Sequence, residues 1–217
     1  MRKKIYRSKF GKIVDTITFP VRVLFMGTES KFGLSSLREE RMRAVAYFSK
    51  GKVLDIGCGP ENLFINEFIG KENGLGIDIF SFKGVERIIK DMTNIPFDDC
   101  SFDTITLVGV GGHIPKSKRR AEFKEFSRLL KPGGILVMTE GEPITQFLIH
   151  KWSLFHSNLR GELHVDLEQR GMEKDEEFCM PKKELLSYLN TPPLKLIKRK
   201  RFLTQWGLNN IYIAQKQ

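Results

Sequence analysis

The chain has 217 residues, a net charge of +10, 41% hydrophobic and 29% charged residues, a balance that excludes a disordered tail and a membrane bundle and fits a packed globular protein. That length suits one domain with appended elements and is cramped for two. The charge is uneven: residues 1–50 carry twelve Lys/Arg against four Asp/Glu, residues 51–140 twelve against thirteen, and residues 141–217 twelve against nine. A basic N-terminal surface either draws in anionic partners or keeps the protein soluble.

No run approaches the ~20 apolar residues of a bilayer-crossing helix. "MRKKIYRSKFGK" is not followed by the apolar core and small-residue cleavage site of a secretion signal. Cys58, Cys100 and Cys179 are widely spaced, with no Cys-x-x-Cys pair for zinc or dithiol chemistry. A cytoplasmic protein without a bound metal is expected.

Residues 1–34 read as an N-terminal arm. Within "FGKIVDTITFPVRVLFMG" an apolar cluster from Val21 to Met26 is flanked by Lys9, Lys12, Arg22 and Lys31, and Pro20 interrupts any single long helix. The preferred reading is a lid packed on the domain formed by residues 35–217. The other is a peripheral membrane contact through residues 9–31, basic groups toward lipid headgroups.

"SLREERMRAVAYF" then has helical spacing at Leu37, Met42, Val45, Ala46 and Phe48, with Ser35 or Ser36 as N-cap. "KVLDIG" is a buried parallel strand ending at glycine, and "PENLFINEFIG" follows as a helix. "GLGIDIF" is a second strand, a third short one lies around Ile88–Lys90, and "SFDTITLVGV" is a fourth. "KSKRRAEFKEFSRLL" is a helix with Phe123, Phe126 and Leu130 on one face, stopped by "KPGG" before a fifth strand, "ILVMTE". Alternation over 50–140 calls for a parallel sheet with helices on both faces. Residues 141–180 form an insertion holding Phe147, Trp152, Phe155 and His156. Leu194–Leu203 and Asn210–Gln215, joined through Gly207 and two asparagines, form a closing antiparallel hairpin within 194–216.

The loop "DIGCGPEN" occupies the place where open parallel sheets bind ligands, beyond the carboxyl end of the first strand. A phosphate-binding loop fails, because no Lys-Ser/Thr follows Gly57 at the required spacing. A dinucleotide fingerprint is weak: Asn62 stands at the third glycine, and Asp55 would face a pyrophosphate. S-adenosylmethionine fits better. Asp55 answers the ammonium of its amino-acid end, while Gly57 and Gly59 let it lie against the backbone.

"VLDIGCGPENLF", "GIDI", "DMTNIPFDDCSFDTITL" and "LLKPGGILVMTE", in this order over roughly residues 40–140, resemble the class I S-adenosylmethionine-dependent methyltransferases, specifically the type 11 group. The resemblance implies an α/β Rossmann-like fold with a seven-stranded, mostly parallel sheet. It also implies site roles. Asp55, Gly57 and Gly59 lie under the methionine moiety, and Asp78, with Ile79 beside it, accepts the ribose hydroxyls. Asp91 and Met92 flank the adenine, and Val108 and Gly109 lie near the reactive methyl.

The chain departs from the family twice. Glu61 stands where a third loop glycine is common, restricting the backbone and offering a helix cap. After the fourth strand, "GVGGHIP" puts Gly111 and Gly112 before His113, so either a large acceptor reaches in or the loop closes over. Cys58 is expected to be a small buried filler.

The sulfonium methyl is already activated, so alignment for in-line displacement is the main requirement. For a hydroxyl acceptor a base helps, and His113 is the best-placed candidate ahead of His150, His156 and His164. Neither Asp/Asn-Pro-Pro-Tyr/Phe nor Pro-Cys follows the fourth strand, so a small-molecule or lipid-like acceptor is expected. The alternatives are an RNA methyltransferase tracking phosphates with the basic arm, and a non-catalytic cofactor-binding module.

Overall fold

The computed structural model describes residues 6–25, 30–142, 175–177 and 179–217. Seven strands, β1 (Val53–Ile56), β2 (Gly74–Asp78), β3 (Arg87–Ile88), β4 (Phe102–Val108), β5 (Leu130–Gly141), β6 (Leu194–Arg201) and β7 (Asn209–Lys216), form one sheet in the order β3-β2-β1-β4-β5-β7-β6. Pairing is parallel from β3 through β5, and β7 runs antiparallel between β5 and β6. The expected mostly parallel sheet with a C-terminal hairpin is therefore observed. The chain order reverses between β1 and β4, which opens a crevice at their carboxyl ends.

Among the described residues the α-helices are α1 (Lys9–Ile17), α2 (Phe19–Phe25), α3 (Leu37–Phe48), α4 (Arg119–Leu129) and α5 (Lys182–Leu189). Strand alternation divides the core into two faces. Ile135 and Val137 of β5 join Ile211 and Ile213 of β7 against Met42 and Val45 of α3 and Phe64 and Phe68. Leu136, Met138, Tyr212 and Ala214 face the other way, onto Phe123, Phe126 and Leu129 of α4 and Leu185 and Leu189 of α5. Ser36 caps α3 as expected, its hydroxyl accepting the Glu39 N–H at 3.1 Å.

The helix expected over residues 60–70 is broken into a 3₁₀ turn at Pro60–Asn62 and a π-helical turn at Ile65–Ile69. Glu61 and Asn62 have φ of +62° and +46°, and a right-handed helix cannot pass through two left-handed residues. Glu61 is thus not a helix cap. Its N–H donates to Lys83 O at 2.7 Å, and its carboxylate lies 3.4 Å from the Lys83 ammonium. The third strand falls on Arg87–Ile88 rather than on Ile88–Lys90.

The arm is locked down by a buried arginine. α1 and α2 meet at Thr18, and Pro20 sits in the first turn of α2, where a missing N–H costs nothing. Arg22 is 1% exposed. It donates to the carbonyls of Ser35 (2.6 Å), Asp15 (2.6 Å) and Thr204 (3.1 Å) and to Glu40 Oε2 (2.5 Å). Glu40 also accepts from Gln205 Nε2 at 3.0 Å and from the Thr204 hydroxyl. The arm therefore docks on α3 and on the turn joining β6 to β7. Met26 and the insertion side chains Phe147, His150, Trp152, Phe155, His156 and His164 lie outside the described residues.

Candidate functional site

At the reversal of strand order a cleft of about 510 Å³ opens between the β1 loop, the ends of β2 and β4, α3 and the first turn of α4. Asp55, Gly57, Gly59, Asp78, Ile79, Met92, Val108, Gly109 and His113 all line it. Nine of the ten residues expected at the site are thus brought together. Asp91 is not. Its carboxylate turns back to accept the N–H (3.0 Å) and hydroxyl (2.7 Å) of Thr93, bonds that hold it below the usual carboxylate range. Only the neighbouring Met92 reaches the cleft from that segment.

β1 delivers Asp55 to the floor. Its register partner on β4 is Thr106, whose hydroxyl donates to Asp55 Oδ1 at 2.6 Å. Burial pushes the Asp55 carboxyl up to about 7, opposed by the Thr106 bond and reinforced by nearby Asp78. A buried carboxylate carrying one neutral hydrogen bond favours a cation brought beside it.

The loop that follows is built for close backbone approach. Gly57 has φ +69°, and a Cβ there would lie 2.7 Å from Val110 Cγ2. The N–H groups of Gly57 and Cys58 donate to Ile77 O at 2.9 and 3.1 Å. Gly59 N–H donates to Asp78 Oδ2 at 2.9 Å, and Phe80 N–H donates to Asp78 Oδ1 at 3.0 Å. Two backbone bonds thus orient Asp78, and each oxygen keeps a further lone pair for a hydroxyl in the cleft. Cys58 is buried, and desolvation raises its thiol pKa further from the reactive range, in keeping with a filler.

Three charged positions had no motif to announce them. Arg38 and Arg41 reach the cleft from α3; burial lowers the Arg41 pKa, and Glu140 opposes that effect. Glu122 lines the cleft from α4, its carboxyl pushed up to about 7 by burial. In the sequence these are ordinary charges of helices whose apolar stripes carry the signal. Phe80 and Phe82, which also line the cleft, lie in a loop without periodicity.

The glycine pair after β4 is packed against its neighbours. Gly111–His113 forms a 3₁₀ turn, and the carboxylate of Glu140 fills the space where a Gly111 Cβ would stand. Gly112 O accepts the Glu177 N–H at 3.0 Å. His113 stands at the cleft with 43% of its side chain exposed, Nδ1 lying 3.4 Å from Glu176 Oε2. No group of three or more potential metal ligands occurs among the described residues. No helix among them is long and apolar enough to cross a membrane.

A family model described as a methyltransferase domain matches residues 32–177. Over 116 residues the chain is 33% identical to the Mus musculus protein named "Probable tRNA methyltransferase 9B", covering 51% of this chain and 24% of that protein. Over 152 residues it is 29% identical to the ubiquinone/menaquinone biosynthesis C-methyltransferase UbiE of Geotalea daltonii, covering 61% of this chain and 63% of that one. The chain therefore spans about a quarter of the first relative and under two thirds of the second. Among solved structures, a SAM-dependent methyltransferase of Methanosarcina mazei superposes with a TM-score of 0.55 at 24% identity, over 80% of this chain and 96% of that one. A Pyrococcus horikoshii protein superposes with a TM-score of 0.60 at 19% identity, over 83% and 90%. At these identities the two likenesses concern the fold.

Proposed function

Because the chain belongs to the methyltransferase-domain family, we propose that it binds S-adenosylmethionine in the cleft and transfers the methyl group to a small-molecule or lipid-like acceptor. The observation that carries this reading is the pairing of Asp55 and Asp78. Two buried carboxylates end neighbouring strands, with a backbone loop of positive-φ glycines between them.

The residues present suit a zwitterionic amino-acid tail joined to a nucleoside. Asp55, raised to about 7, takes the ammonium, and Gly57 and Gly59 leave room beside the backbone. Asp78 accepts the ribose hydroxyls, with Ile79 alongside, and Met92 packs on the adenine. Val108 and Gly109 border the reacting centre. The bound sulfonium supplies an activated methyl for in-line displacement. The chain's own task is to align the acceptor and exclude water. With Nδ1 turned toward Glu176, His113 keeps Nε2 for the proton of an acceptor hydroxyl.

Calorimetry with S-adenosylmethionine, followed by methyl transfer to fractionated cell extract, tests both halves of the proposal. An organic-soluble labelled product supports it. Absence of donor binding at millimolar concentration, or preference for a nicotinamide nucleotide, overturns it. A second reading, methylation of RNA, is favoured by the likeness to a tRNA methyltransferase together with the basic arm; label recovered in RNA would select it.

A further inference from the structure

Helix α1 is turned inside out. An amphipathic helix on a globular protein ordinarily buries its apolar stripe. Here the buried residues are Gly11 and Asp15, while Phe10, Ile13 and Ile17, at spacings of three and four, are 76%, 57% and 72% exposed. The polar side is what holds the helix down. Arg7 clasps Asp15 through two bonds of 2.9 and 3.0 Å, Ser35 N–H donates to Asp15 at 3.2 Å, and Arg22 takes the Asp15 carbonyl.

The outward stripe continues onto the turn between β6 and β7. Leu203 and Trp206 are 75% and 61% exposed there. The Trp206 indole N–H donates to Thr16 O at 2.9 Å, so the ring is pinned beside α1 with its one polar atom satisfied. Exposed Lys9 and Lys12 of α1, and Arg201 at the end of β6, which lies against Gly207 of the turn, supply cationic groups around these side chains.

We propose that this face is a docking surface for an anionic phospholipid bilayer. An outward apolar stripe, a pinned tryptophan and flanking lysines are the groups that settle at a headgroup boundary. A nucleic-acid backbone would use the lysines but has no counterpart for Ile13, Ile17 and Leu203. A second copy across a two-fold axis would set one cationic rim against another.

The placement also bears on the substrate. β7 begins at Asn209, which pairs with Gly141 at the carboxyl end of β5, so the docking turn lies at the same end of the sheet as the cleft. Resting on the methyltransferase reading above, adsorption brings the cleft end toward the lipid surface and selects an amphiphilic acceptor resident in that interface.

The test is co-sedimentation of the full chain, without methyl donor, with phosphatidylglycerol-containing vesicles and with phosphatidylcholine vesicles. Binding to the anionic vesicles that weakens with salt is expected. The triple variant Phe10→Ser, Ile13→Ser, Ile17→Ser lowers it by roughly tenfold or more, with unchanged circular dichroism and unchanged donor affinity. Equal sedimentation of the variant, or no sedimentation at low salt, overturns the proposal. So does a dimer that the variant converts to monomer, which assigns the face to a second copy. Absence of vesicle binding by the unmodified full chain, with its donor binding intact, sinks only this inference. The reverse result sinks the methyltransferase reading and leaves the lipid surface standing.

Discussion

The Glu140 carboxylate and the missing side chain of Gly111 share one volume: a methyl group on residue 111 would collide with Glu140 Oε2. Glu140 is buried, and Oε1 accepts the Met180 N–H at 3.2 Å, so it has little room to withdraw. Gly111→Ala is expected to cost about 1–3 kcal/mol through overpacking. Urea denaturation checks it; an unchanged midpoint would mean that Glu140 yields freely.

Burial pushes the carboxyls of Asp55, Glu122 and Glu140 up to about 7 each. The unfolded values lie near 4, so the native state holds the extra protons between these limits. The stabilising contribution of the protonated forms is full below about pH 4 and lost as pH rises through about 7. Thermal melts of the free protein should therefore fall over that window. Donor binding runs the other way, because an ammonium beside Asp55 favours its ionised form. Affinity should climb by up to about tenfold per pH unit below pH 7, with proton release on binding. Asp55→Asn should weaken binding and flatten this profile in calorimetry.

For a hydroxyl acceptor, His113→Ala is expected to lower kcat by about 10²–10⁴-fold while leaving the donor Kd unchanged. Glu176→Gln should give a smaller loss, since it only orients the ring. Full turnover in His113→Ala would remove that side chain from the chemistry.

Arg22→Ala leaves Glu40 without its buried partner and three carbonyls without a donor. A loss of about 3–5 kcal/mol is expected. Arg22→Lys should recover only part of it, because one ammonium cannot match a planar fork spread over four acceptors. Chemical denaturation of both variants measures this.

Glu61 occupies a left-handed conformation at φ +62°, which glycine adopts without Cβ strain. Glu61→Gly should raise stability by about 0.5–1 kcal/mol, read as a higher melting temperature.

The parallel strands, the closing hairpin and most of the cleft were legible because each rests on a local signal. Apolar runs end in glycine or acid, and Asp55, Gly57, Gly59 and Asp78 sit at strand ends where topology brings them together. The broken helix after Pro60 escaped because its apolar spacing is helical, and nothing in "PEN" announces two left-handed residues. Arg41, Glu122 and Glu140 were hidden for another reason: burial of a charge is decided by tertiary packing. Asp91 does not line the cleft, because Thr93 offers its carboxylate two donors close at hand.

The fourfold grip of Arg22 makes the outer helix and the crevice heritable as a unit. α3 meets the arm through Glu40 and the crevice through Arg38 and Arg41. A chimera that grafts this arm onto another scaffold of the same architecture would keep its seat only if position 40 and the 203–205 turn travelled with it. Tailoring the exterior for a new surface is therefore not independent of tuning the interior.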